Sequence, residues 1–208
     1  MTYQDIKLTS DNQVAYLTLT RPDSLNALTP NLMREMDQAI DTISGDKSIK
    51  ALVINGDGRS FCAGANLIHL EKAFQQPARL KSFLWHTNKV FFKLESMPIP
   101  AIAVVHGHCL AGGLELALAC DIMIVANDAQ IGDQHTNFGL MPGGGSTQRL
   151  PRKIGHQLAM DLILTGRRIN GIEASQFGLA LTAVPANELN AELESLLTQL
   201  RGKSRTGM

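Results

Sequence analysis

The chain lacks a surplus of charge of either sign. Nineteen Lys and Arg balance nineteen Asp and Glu over 208 residues, for a formal net charge of zero. No basic excess is present to attract nucleic acid or an anionic membrane surface, so neither partner is expected. Cysteine is scarce, with three residues, Cys62, Cys109 and Cys120. They lie within or beside apolar runs and match no metal-ligand spacing, so no metal is expected. Buried free thiols in a reducing compartment follow, which predicts a cytoplasmic protein without a disulfide framework. The opening MTYQDIKLTS has no basic stretch leading into an apolar core, so no secretory leader is expected. No apolar run reaches the roughly 20 residues that cross a bilayer as a helix. Internal repeats, linkers and low-complexity segments are also missing.

What is present suits one sizeable core with at most a small appendage. The 44% hydrophobic and 18% charged fractions are ordinary for a soluble globular protein. Strand and helix signals alternate along the chain. Tyr3 to Leu8 and Gln13 to Thr20 read as a hairpin around Asp11-Asn12. Thr29-Pro30 is an N-cap with Pro at the first helical position. Leu32, Met33, Met36, Ile40 and Ile43 then mark a helical face that ends near Gly45. Ala51 to Ile54 is a short apolar strand. Leu80, Phe83, Leu84, Phe91 and Leu94 line a helix that stops before Pro98, and Trp85 and His86 within it are expected to pack in the core or an interface. Ala101 to Val105 and Ile122 to Val125 read as buried strands. Asp133 to Met141 reads as one helical turn plus a loop, and Ser146 as the cap of a helix carrying Arg149 and Arg152. Ile154 to Leu164 and Gly171 to Phe177 are helices, and Leu181 to Val184 a strand. Leu189, Leu193, Leu196, Leu197 and Leu200 form a last amphipathic face, followed by a polar, basic end expected to fray.

The stretch His106 to Asp121, HGHCLAGGLELALACD, organises the rest. It reads as a buried strand, a tight glycine turn and a buried helix. One charge, Glu115, sits in the apolar segment Leu114 to Cys120. A carboxylate there costs several kcal/mol in order of magnitude if charged and unpaired. The helix start favours its anion, whereas burial raises its pKa. These opposed effects suit a general acid or base, although a satisfied structural carboxylate fits the pattern equally well. The free N–H groups of the same turn can hold an anion. A second turn, SFCAGANL from Ser60 to Leu67, has small residues that let a ligand approach the backbone, and Asn66 as an N-cap. The glycine loop Pro142 to Gly145 has a shape that can cradle phosphate. It lacks the Lys-Ser/Thr sequel of a P-loop.

These residues carry a resemblance. Arg21-Pro22 with Leu25-Asn26-Ala27-Leu28, then FCAGA at 61–65, AGGLELA around Glu115 with Cys120-Asp121, and GLMPGGGSTQRL at 139–150 resemble the crotonase superfamily, the enoyl-CoA hydratase/isomerase family. The match runs from about Val14 to Val184. It implies an α/β fold of ββα repeats wound as a spiral over residues 1–184. Residues 185–208 would begin the C-terminal helical segment with which family members continue, either cut short here or belonging to a short member. The resemblance further implies acyl-CoA or enoyl-CoA as substrate, with CoA as part of that substrate and no permanently bound cofactor. It implies a homotrimer or a dimer of trimers. The thioester oxyanion would be held by the backbone N–H groups of Ala65 and Gly112. Ser24, Leu25, Ala63 and Gly64 fall where the family touches CoA. Glu115 matches the first of two catalytic glutamates in family hydratases. The second falls at His135, which can act as the acid, bind a polar acyl group, orient Glu115 or serve as a structural imidazole. Hydration of a 2-enoyl-CoA is the leading reaction. Isomerisation, decarboxylation, thioester hydrolysis and acyl-CoA binding without turnover are the alternatives.

Overall fold

A computed structural model describes residues 2–207. Strands β1 (Ile6–Asp11) and β2 (Val14–Leu19) pair antiparallel. Helix α1 (Pro30–Gly45) follows, its first turn capped by Thr29, whose side chain accepts from Leu32 N–H. Next come β3 (Ala51–Gly56), α2 (Leu67–Phe74), α3 (Pro77–Glu95), β4 (Ala101–Val105), β5 (His108–Leu110) and α4 (Gly112–Leu118). The chain continues through β6 (Ile122–Ala126), β7 (Gln130–Gly132), α5 (Ser146–Ile154), α6 (His156–Thr165), α7 (Gly171–Gln176), β8 (Thr182–Val184) and α8 (Leu189–Arg201).

The larger sheet has the order β1-β2-β3-β4-β6-β8 and is parallel beyond the first hairpin. Its central strands Leu52 to Ile54, Ala101 to Val105 and Met123 to Ala126 are buried on both faces, which explains their unbroken apolar runs. The smaller sheet pairs β5 with β7 in parallel, and Cys62 bridges to Cys109 on its other side. Successive turns of the chain thus place one strand in each sheet, giving the ββα spiral. Helix α8 buries Leu189, Leu193 and Leu197, and Lys50 Nζ donates to the Arg201 carbonyl.

Several local expectations are corrected. The helix expected around Leu80 to Leu94 begins earlier, at Pro77. Of the two placements expected for Trp85, the core is excluded, because the residue lies exposed on the outer face of α3. Ser146 is the first residue of α5, not its cap; Gly145 takes the cap position in a left-handed conformation that favours glycine. The basic end is helical through Arg201, and Arg205 donates to the carbonyls of Asp46 and Ser44. Met208 lies outside the described residues.

Candidate active site

The β5–β7 pairing sets the site. Leu110 stands opposite Gly132, and Ala111 N–H donates to the Gly132 carbonyl. Each strand therefore ends at the same level, and the residues that follow enter one space. On the first side Ala111 adopts φ 48 and ψ −118, a conformation that is costly for a residue with a Cβ. It swings the chain from β5 straight into α4. Gly112 is then the first helical residue, so its N–H finds no acceptor within the helix. Gly113 lets α4 back onto the neighbouring strand, since a Cβ there would lie 2.1 Å from the Cys62 carbonyl oxygen.

The Ala65 N–H faces the same space. Leu28 N–H donates to the Gly64 carbonyl and Asn66 N–H to the Leu28 carbonyl, so Ala65 between them presents its N–H on the opposite side. A Cβ built on Gly112 would lie 3.4 Å from the Ala65 nitrogen. The two N–H groups are neighbours, and no backbone acceptor among the described residues takes either. Gly64 reaches its place with φ +106, which a side chain would oppose. Asn66 caps α2 as expected, its side chain accepting from His69 N–H. Leu25 and Ala63 meet directly, with Ala63 N–H donating to the Leu25 carbonyl at 3.0 Å. Ser24 lies beside them, its hydroxyl on the Arg21 carbonyl. The Ser24–Leu25 and Ala63–Ala65 segments are thus adjacent, and of the six backbone positions expected from the sequence Ala65 and Gly112 line the cavity described below.

Glu115 is one turn into α4 and 3% exposed. Its Oε1 accepts from Gly144 N–H at 2.7 Å and Ser146 N–H at 3.1 Å. The glycine loop thus folds over the carboxylate and leaves Oε2 facing the cavity. Burial pushes the Glu115 carboxyl above its ordinary range; the His135 charge and the two amides oppose this without cancelling it. His135 lies in the 3-10 turn His135–Phe138 after β7. Its Nε2 is 3.8 Å from Glu115 Oε2, and its Nδ1 is 2.8 Å from Asp133 Oδ1. Burial works against the imidazolium, but the Asp133 hydrogen bond and the charges of Glu115 and Asp133 outweigh it and raise the pKa.

A cavity of ≈ 190 Å³ joins these groups. Ala65, Gly112, Glu115 and His135 line one end, and Leu70, Phe74, Leu80 and Phe83 line the apolar remainder. Thr87 also lines it; the residue is 4% exposed and its hydroxyl has no partner among the described residues. Among the described residues, no three His, Cys, Asp or Glu side chains cluster as a metal ion would need. His106 and His108 lie elsewhere, on the Gly58 carbonyl and the Ser60 hydroxyl.

Sequence reasoning reached Glu115, His135, Ala65 and Gly112. It did not reach the two amides that hold Glu115, nor Thr87. Asp133 does not line the cavity; it meets His135 from behind, where the backbone folds tightly enough for His135 N–H to donate to the Asp133 carbonyl.

This arrangement can polarise a carbonyl with two N–H donors and move a proton beside it. Comparison with known proteins agrees with that chemistry. The sequence pattern of the enoyl-CoA hydratase/isomerase family matches residues 9–208. A probable enoyl-CoA hydratase of Mycobacterium bovis is 38% identical over 200 residues, 96% of this chain and 76% of that protein. The crystal structure of an enoyl-CoA hydratase from Bacillus anthracis superposes with a TM-score of 0.92 at 32% identity, over 97% of this chain and 78% of that one. A putative enoyl-CoA hydratase from Thermobifida fusca, in complex with acetoacetyl-CoA, gives 0.91 at 31% identity, over 98% and 82%.

Proposed function

Because the chain belongs to the enoyl-CoA hydratase/isomerase family, we propose that it adds water across the double bond of a 2-enoyl-CoA. The observation that carries this reading is the pair Glu115 Oε2 and His135 Nε2. They face each other at 3.8 Å, in the cavity that the Ala65 and Gly112 turns also line. Two groups at that separation can both hydrogen-bond one water.

The thioester oxygen accepts from Ala65 and Gly112 N–H. Each such donor is worth roughly 3 kcal/mol as charge develops on that oxygen. Glu115 takes a proton from water, whose oxygen attacks the β carbon. The electron pair moves through the α carbon onto the thioester oxygen as an enolate. His135 then gives its Nε2 proton to the α carbon as the enolate collapses. Glu115 is left protonated and His135 neutral, and transfer of that proton across the pair restores the start. The net change is one water added.

Ser24, Leu25, Ala63 and Gly64 form the rim along which CoA runs, and the apolar end of the cavity takes the acyl chain. The relative solved with acetoacetyl-CoA supports a CoA thioester as substrate. The exposed apolar side chains Leu67, Ile68, Phe138, Met141, Leu164 and Leu181 support burial between subunits, in a homotrimer or a dimer of trimers. Three buried free cysteines suit a cytoplasmic setting. A second reading, double-bond isomerisation, is favoured by His135 standing where a hydratase would carry a second carboxylate.

The test is mass analysis of short 2-enoyl-CoA esters incubated with the protein and with Glu115→Gln. Gain of one water with the wild type alone is the expected result. An unchanged mass with a shifted double bond would replace hydration by isomerisation.

A further inference from the structure

The carboxylate of Asp133 is 0% exposed, and it serves neither the fold nor the cavity directly. It does not cap the 3-10 turn that follows, where no side-chain cap bond forms. Its Oδ1 meets His135 Nδ1 at 2.8 Å, while Oδ2 is buried with no partner. A carboxylate kept in the interior only for stability would be expected to satisfy both oxygens. Here the imidazole is its one hydrogen-bond partner among the described residues.

We infer that Asp133 is a positioning residue that fixes the His135 tautomer, so that Asp133, His135 and Glu115 form a relay holding a single proton between imidazole and glutamate. The inference rests on the hydratase reading for its consequence, but not for its geometry. With Nδ1–H donated to Asp133, a neutral ring turns the Nε2 lone pair toward Glu115 Oε2. Two acceptors then face each other at 3.8 Å, and one proton on either relieves the repulsion. The pair therefore carries one acid and one base at once. The directions of both pKa shifts agree, since each group holds its proton more tightly than usual.

The charged groups acting on the imidazole are Asp133, from the segment before its own turn, and Glu115, from α4. Helix α6 packs against the turn through the Ile163 carbonyl, which accepts from Thr136. The acidic residue of α6, Asp161, is paired with Arg167. The Gly143–Gly144 loop and Leu140 bring no charge.

The test is Asp133→Asn, read in two ways. An amide can donate to Nδ1 and reverse the tautomer, so that Nε2 carries a fixed proton and no longer exchanges one with Glu115. The kcat for a short 2-enoyl-CoA is expected to fall roughly 10²–10⁴-fold, the scale seen when a buried carboxylate that orients a catalytic imidazole is neutralised. KM should move by less than about threefold, because binding groups are untouched, and the alkaline limb of the pH profile should shift to lower pH. The second readout needs no turnover. Nitrogen-15 NMR of the His135 ring, assigned with His135→Gln, should show an Nδ1–H tautomer in the wild type at high pH and Nε2–H in Asp133→Asn. A wild-type ring in the Nε2–H form would overturn the inference, as would an unchanged tautomer and pH limb in the variant. The wild-type spectrum decides the tautomer even if the variant does not fold. An Nδ1–H ring without hydration of any enoyl-CoA would sink the hydratase reading and leave the Asp133 assignment standing.

Discussion

Gly144 donates its amide N–H to Glu115 Oε1 over 2.7 Å. Its carbonyl accepts from Arg149 Nη1, also over 2.7 Å. One residue thus links Glu115 to the Arg149 guanidinium through its two flanking peptide groups. A Cβ on Gly144 would fall 2.5 Å from Glu115 Oε2 and 2.9 Å from Phe91. Gly144→Ala is therefore expected to displace the carboxylate. A shift of about 1 Å in a catalytic group can cost roughly 100-fold in rate. Steady-state kinetics should show that loss, with circular dichroism confirming a folded protein.

Arg149 also grips Glu95 through two hydrogen bonds of 2.7 Å. The planar fork makes both of these and the Gly144 bond together, which an ammonium cannot reproduce. Glu95 is 36% exposed, so solvent screens part of the pair. Arg149→Lys should destabilise by about 1–3 kcal/mol and lower kcat through the slackened Gly144 loop. Urea unfolding and kinetics check the two effects.

The two facing groups set a pH profile. Glu115 must be ionised to act as base, and burial raises its pKa above 4.5. His135 must be protonated to act as acid. Burial opposes that proton, but Asp133 and Glu115 prevail and raise its pKa above 6.5. A bell-shaped kcat is expected, with its acid limb above pH 4.5 and its alkaline limb above 6.5.

Stability follows the same protons. Both groups bind them more tightly folded than unfolded. The Glu115 contribution is complete below its unfolded value and is lost as pH rises through the raised folded one. The same holds for His135 in its higher window. Glu115→Gln should therefore flatten the decline in Tm above pH 4.5 while abolishing turnover. Thermal scans across pH would contradict this if the variant and wild type kept parallel curves.

Thr87 places in the cavity wall a hydroxyl with no partner among the described residues. Leaving such a group buried costs about 1–3 kcal/mol. Thr87→Val keeps the shape and removes the orphan, so it should raise Tm by about 2–4 °C per kcal/mol recovered. Calorimetry of the two proteins is sufficient.

Much of this site was legible in the chain, and for physical reasons. Glu115 stood out because a lone charge in an apolar helix needs a task. The Ala65 and Gly112 turns stood out because small residues and a helix start expose N–H groups. The α1 cap was legible because Thr29 and Pro30 act locally. What escaped depends on distant packing. The loop at Gly144 reads only as a glycine loop of phosphate-cradling shape; its contacts with Glu115 and Arg149 join segments far apart in the chain. Asp133 and His135 are two apart, a spacing that shares one face of a strand, but β7 ends at Gly132 and the chain turns there, so spacing alone does not place them. Only the tight turn after β7 brings both to one point. The start of α2, by contrast, was legible because Asn66 caps it locally. Sequence alone did not separate core from interface for Trp85, because its type suggests burial of either kind, and its face of α3 is exposed.

The three thiols have a use beyond packing. All are buried, and burial pushes Cys62 and Cys120 up to about 12 and Cys109 well above its ordinary value. Near neutral pH they are neither ionised nor within reach of an alkylating reagent. Any labelling must wait for the fold to open. Cys62 sits three residues before Ala65, and Cys120 two residues after α4 ends. The rate at which each thiol is modified therefore acts as a built-in clock for how often the walls of the site come apart.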